Sequence, residues 1–273
     1  MDKERILITV KTYPTLSRKY GETVCTAGVR EDGSWVRLYP VPFRRLNEKQ
    51  QYRKFDWLEF HTSRNSSDPR PETYRPVDFK QLIPVGHLDT KNNWQDRRNI
   101  LLKKAAVYTR MQELIDGAKA NRLSLAVFKP TKILGFSWEE EEDREWDTAK
   151  LAEMRKQASQ GVLFEEDAWR ATFKVIPKLP YGFSYRFEDA DGHKSKMRIL
   201  DWEIGALFWK CVRDHGTEKV ALEKVREKYV DAFRKTDLHF FLGTTQQYHL
   251  RAPNPWMIIG VFPIPNENQL DLF

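Results

Sequence analysis

The sequence predicts an α+β fold: a small β-barrel at the N-terminus, helical insertions behind it, and a mixed α+β part at the C-terminus. Three patterns predict it. The first sixty residues are short apolar, β-branched runs parted by tight turns, the pattern of a small barrel or a strongly twisted sheet. Apolar residues at helical spacing follow in 94–122. The last hundred residues alternate a hairpin, two helices and two strands. The divisions fall at 1–90 for the barrel, 91–176 for a middle region of helix and strand, 177–265 for the C-terminal α+β part, and 266–273 for a tail.

Each element has its own signal. RILITVK and ETVCTAGV are strands, and Asp32-Gly33 marks a hairpin turn before SWVRLYPV. Alternation along that strand sets Trp35, Arg37 and Tyr39 on one face and Val36 and Leu38 on the other. KFDWLEFH is a further strand, and the Ser-, Asn- and Pro-rich stretch after it is a loop. A strand is expected at 79–85, then helix with a break near Val107. Two strands flank Lys129-Pro130. The acidic run from Glu139 to Asp143 reads as solvated surface ahead of a surface helix. Proline-marked KVIPKLPYGF leads to a hairpin turning at Asp191-Gly192. Asp201 is placed to cap a helix whose apolar residues Ile204, Leu207, Phe208, Cys211 and Val212 recur at helical spacing. A charged helix and two apolar strands complete the chain.

Composition narrows the function. Lys and Arg number 46 against 39 Asp and Glu, a net charge of +7, which favours a polyanionic partner, DNA or RNA. Two cysteines, Cys25 and Cys211, build neither a disulfide framework nor a zinc cage, so a reduced, cytoplasmic setting is expected. The charged N-terminus is unlike a secretion signal, and no apolar run is long enough to span a bilayer, so no membrane is expected. Phosphate-binding glycine loops, the nucleophile elbow and the His-Glu-x-x-His motif are all missing, which counts against the common enzyme classes.

Two clusters remain as candidate sites. Lys11, Tyr13, Arg18, Lys19, Trp35, Arg37, Tyr39, Arg44 and Arg45 interleave cations with rings in the barrel segment. Cations hold phosphates and rings stack bases, so this is the candidate nucleic-acid-binding face. Asp189, Asp191, His193, Asp201 and Glu203 form the catalytic candidate. Carboxylates with a histidine are ligand types for Mg²⁺ or Mn²⁺, and Lys194 or Lys196 lies close by to assist a metal nuclease. Gly205 stands where the restriction-type nuclease pattern has a lysine. Asp191 also suits the turn, and Asp201 the cap. No cofactor is expected outside that nuclease reading.

VCTAGVREDGSWVRLYPVPFRRL resembles the opening of bacterial dual OB-domain or OB-like nucleic-acid-binding proteins, through Cys25, Ala27, Gly28, Gly33, Trp35, Arg37 and Pro40. The resemblance implies an OB-like barrel and a nucleic-acid association, with no catalytic residues. Gln269-Leu270-Asp271-Leu272-Phe273 resembles the pentapeptide by which bacterial polymerases and repair proteins dock onto the β sliding clamp. That resemblance implies that Leu272 and Phe273 fill an apolar pocket of the clamp while Gln269 hydrogen-bonds beside it. Together they imply a clamp-tethered nucleic-acid-binding protein in DNA repair, replication control or phage defence.

Overall fold

A computed structural model of the chain describes residues 3–17, 21–152 and 175–266. The N-terminal strands are β1 (Lys3–Lys11), β2 (Thr15–Ser17), β3 (Gly21–Val29), β4 (Trp35–Val41), β5 (Asp56–Arg64), β6 (Thr73–Pro76) and β7 (Pro84–His87). Antiparallel ladders join β1 to β3, β3 to β4 and β5 to β6, and a parallel one joins β4 to β6. Because β5 also pairs with β1, the order β1-β3-β4-β6-β5 closes on itself as an OB-like, five-stranded barrel. Alternation fills it: Ile6, Ile8, Val36, Leu38, Leu58 and Phe60 are sealed inside. The β3–β4 turn requires Gly33, whose φ is +88° and whose missing Cβ would lie 2.4 Å from the backbone of Lys104.

The strand expected over 79–85 is instead a 3₁₀ turn, Phe79–Gln81, followed by β7. The Asp78 side chain accepts the Lys80 backbone N–H and turns the chain before a ladder forms. Next come α1 (Lys91–Arg98), β8 (Val107–Tyr108) and α2 (Met111–Lys119), so the expected break near Val107 is a short strand.

The remaining elements are β9 (Leu125–Phe128), β10 (Lys132–Glu140), β11 (Tyr181–Glu188), β12 (Lys194–Arg198), α3 (Trp202–His215), α4 (Glu218–Arg226), β13 (Thr236–Thr244) and β14 (Trp256–Pro265). They repeat the plan of the first barrel. Lys129-Pro130 breaks one long strand into β9, which pairs with β13, and β10, which pairs with β11. β11 pairs with β12, and β13 with β14. Just past β12, Ile199 makes a parallel bridge to Ile258 of β14, and the Leu200 N–H donates to the Ile258 carbonyl at 2.7 Å. In both units the third strand thus meets the fifth in parallel while the fourth pairs with the first. β9 and β10 share this circuit and its core with the C-terminal strands: Ala126, Phe128, Phe183, Tyr185, Phe240 and Ile258 pack in one cluster with Phe208 of α3. Among the described residues no helix is long and apolar enough to cross a membrane.

Candidate nucleic-acid interface

Five-stranded barrels of the OB type bind oligonucleotides on the face of their second and third strands and on adjoining loops. In the first barrel those strands are β3 and β4, and their outward row is Ala27, Val29, Trp35 and Arg37, with Ala27 opposite Arg37 and Val29 opposite Trp35. The second unit covers this row. Ala27, Val29 and Trp35 pack with Leu125, Val127, Phe241, Ile259 and Phe262 from β9, β13 and β14. The Trp35 ring stands edge-on to Phe241 at 5.9 Å. The face assigned from sequence to nucleic acid is thus an internal joint.

Arg37 is the clearest correction. Its side chain is 1% exposed and spans the joint. Nη1 donates to the Ser124 hydroxyl at 2.6 Å and to Thr73 at 3.3 Å, and Nη2 donates to the Ser124 carbonyl at 2.9 Å. Burial, with Arg70 beside it, brings its guanidinium down to about 10. Glu72 accepts both the backbone N–H and the hydroxyl of Ser124. Arg70 is held by Asp68, with Nη2 to Oδ2 at 2.6 Å, and donates to the Thr244 carbonyl. His249 completes the network. Asn121 Oδ1 accepts from Nε2 and the Thr244 hydroxyl meets Nδ1, each at 2.9 Å, which defines the neutral tautomer. Burial and the charges of Arg70 and Arg37 push His249 down to about 4.

Other members of the predicted face are also engaged within the protein. Tyr13 lies against Gly205 of α3, where a Cβ would fall 2.3 Å from the ring. Its hydroxyl donates to the Pro177 carbonyl at 2.8 Å, and burial pushes it up to about 12. Arg44 grips Glu22 at 2.7 Å. Arg45 and Tyr39 are half-buried. Arg18 and Lys19 lie outside the described residues, as do Gln269, Leu270, Asp271, Leu272 and Phe273.

Lys11 joins an ionic cluster at the seam between β1, β5 and the start of α3. Its ammonium donates to the Tyr52 carbonyl at 3.0 Å and sits 4.1 Å from the centre of the Phe43 ring and 5.4 Å from that of Trp202. Burial, then the neighbouring Lys54, bring it down to about 8. Lys54 is itself buried, between Asp201 at 2.9 Å and Glu203 at 3.1 Å. Burial works against its charge, but the two carboxylates prevail and hold Lys54 above the usual lysine range. Burial also raises Asp201 against the pull of Lys54, whereas at the rim Lys54 outweighs burial and holds Glu203 low.

The five residues of the predicted metal site do not converge. Asp201 caps α3 through the Glu203 N–H, as its position in sequence predicts, and its other oxygen takes Lys54 and the Val261 N–H. Asp189, Asp191 and His193 do bring ligand atoms within 4.8 Å of one another. Asp189 Oδ1, however, accepts the N–H groups of Asp191 and His193, and Oδ2 accepts the Met111 N–H at the start of α2. Asp191 pairs with Arg110 at 3.0 Å. These contacts describe a hairpin turn stapled to a helix end.

The equivalent face of the second unit, on β11 and β12, is open. Phe183, Tyr185, Phe187 and Met197 point into the core, so the period of two sends Arg186, Lys194, Lys196 and Arg198 outward, and all four are exposed. Ser184 faces Arg198 across the ladder, and Arg186 faces Lys196. Glycines let the two arginines approach the sheet closely: a Cβ on Gly135 would sit 3.1 Å from the Arg186 guanidinium, and one on Gly182 would sit 3.0 Å from that of Arg198. Glu139 and Glu141 balance part of the charge, pairing with Lys196 and Arg198 at 2.5 Å. Among the described residues Arg186 and Lys194 have no carboxylate partner. The signal for this face was present in KSKMR, whose cations recur at every second position.

A family described as a domain of unknown function (DUF8757) matches residues 107–273, and another so described (DUF8758) matches residues 2–103. The chain belongs to the DUF8757 family, which spans the second unit. No curated protein matches the chain.

Proposed function

We propose that this chain is a nucleic-acid-binding protein that docks on a sliding clamp and acts in DNA repair, replication control or phage defence, in the cytoplasm and away from membranes. The observation that carries the reading is the open row Arg186, Lys194, Lys196 and Arg198 on the strand pair that OB-type barrels present to oligonucleotides. Planar guanidinium groups close against glycines suit phosphates and base faces alike. The nucleic-acid role assigned from sequence to the first barrel passes to the second, and the first barrel becomes its support.

The test is binding of a fluorescent single-stranded oligonucleotide across a salt series. Arg186→Gln with Lys194→Gln should weaken binding about tenfold and flatten the salt slope by about 1.4, the share of two phosphate contacts on a single strand. An unchanged affinity and slope would sink the sheet-face reading.

The clamp half rests on the match of Gln269–Phe273 to the clamp-docking pentapeptide. A short peptide with two apolar anchors binds at about micromolar affinity. Leu272→Ala with Phe273→Ala should abolish binding to the bacterial β clamp and leave the thermal melt unchanged. A lowered melt in the double variant, with no clamp binding by the wild-type protein, would place those side chains in the protein's own core.

A further inference from the structure

A cleft of about 360 Å³ lies between the β9–β10 connection and the turns that lead from α4 into β13. Its lining is divided by chemistry. Lys129, Lys132 and Arg234 contribute cations, and Ile133, Phe233 and Leu238 contribute apolar surface. Asp237 is the one acid among the lining residues, and it holds Lys129 at 2.8 Å. Among the described residues neither Lys132 nor Arg234 forms an ion pair, and both are exposed. The size is near the lower end of small-molecule sites, roughly 300–1,000 Å³.

We infer that this cleft binds a phosphorylated nucleoside, with the phosphate between Lys132 and Arg234 and the base against Phe233. An inorganic anion would use the cations and leave the apolar surface idle, whereas an uncharged ring would use the apolar surface and gain nothing from the two cations. The position supports the choice. Lys132 faces Glu188 across the ladder, and Glu188 faces Lys194, so the cleft adjoins one end of the basic row on β11 and β12. Choosing a nucleoside over other aromatic bodies rests on the nucleic-acid reading of that row. The ligand has two sources, a free mononucleotide or the phosphorylated end of a strand lying along the row.

The experiment titrates the full chain with adenosine monophosphate, adenosine and inorganic phosphate, and then with one oligonucleotide bearing either a phosphate or a hydroxyl at its end. Adenosine monophosphate should bind about tenfold or more tightly than adenosine or phosphate alone. Lys132→Gln with Arg234→Gln should remove that preference with the thermal melt unchanged. Asp237→Asn, which frees Lys129, should tighten binding. A strand end as the natural source predicts that the phosphorylated oligonucleotide competes with adenosine monophosphate and outbinds its hydroxyl form. A free nucleotide predicts equal binding of the two oligonucleotides. Adenosine monophosphate binding without any oligonucleotide binding would uphold the cleft and sink the sheet-face reading. Equal binding of adenosine and its monophosphate, or a double variant that binds like the wild type, would overturn the assignment.

Discussion

Arg37→Ala is expected to lower the free energy of unfolding by about 3–5 kcal/mol, through the loss of charge-assisted hydrogen bonds worth roughly 1.5–3 kcal/mol each in a site closed to water. The side chain bridges β4 to Ser124 and Thr73 inside the joint between the two barrels. Its loss takes the charged donor from the buried Ser124 hydroxyl and carbonyl, leaving the carbonyl only the Thr244 N–H at 3.0 Å, and it removes a cation that interacts with Glu72. Arg37→Lys should recover only part of the loss, because one ammonium cannot span contacts set by a planar fork. Urea unfolding measures both variants. Oligonucleotide affinity should stay unchanged in any folded Arg37 variant. A folded Arg37→Ala protein of normal stability that has lost oligonucleotide binding would return the interface to the first barrel.

Asp201→Ala should have a comparable effect, again about 3–5 kcal/mol. Its role as a helix cap alone accounts for about 1 kcal/mol. The rest comes from Lys54, which would stay buried against Glu203 alone, and from the Val261 N–H, which would lose its acceptor. Asp201→Asn keeps a capping oxygen and should cost less. The double variant Asp201→Ala with Lys54→Met should be more stable than the two single losses predict when summed, because it removes both charges together. Simple additivity would show that the ion pair contributes nothing beyond the cap. None of these changes should reduce oligonucleotide affinity, since the cluster lies apart from the basic row of β11 and β12.

Much of the fold is local chemistry, and local chemistry is legible. Gly33, Gly192 and the Asp201 cap announce their turns and helix start directly, and Lys129-Pro130 marks the break between β9 and β10. Alternation set Trp35 and Arg37 on one face correctly. What alternation does not encode is what covers that face. An outward tryptophan and arginine read alike whether they meet solvent, a nucleic acid or another barrel, and the cover here comes from residues 125–127 and 241–262, distant in sequence. The strand expected over 79–85 failed for a different reason: the Asp78 turn competes with the ladder and wins. Alternation in KSKMR sets Lys194, Lys196 and Arg198 on one face of β12, but it does not encode that this face stays open, and Arg186 joins it only through the pairing of β11 with β12. That β9 and β10 complete the second unit depends on ladders to β13 and β11, which no local window contains.

The most direct measurement is backbone amide shift mapping on the isotope-labelled protein with a saturating single-stranded oligonucleotide. The largest shifts should fall on Arg186, Lys194, Lys196 and Arg198 and their neighbours in β11 and β12, while the amides of Ala27, Val29, Trp35 and Arg37 stay still. Shifts concentrated on β3 and β4, with β11 and β12 unmoved, would contradict the account.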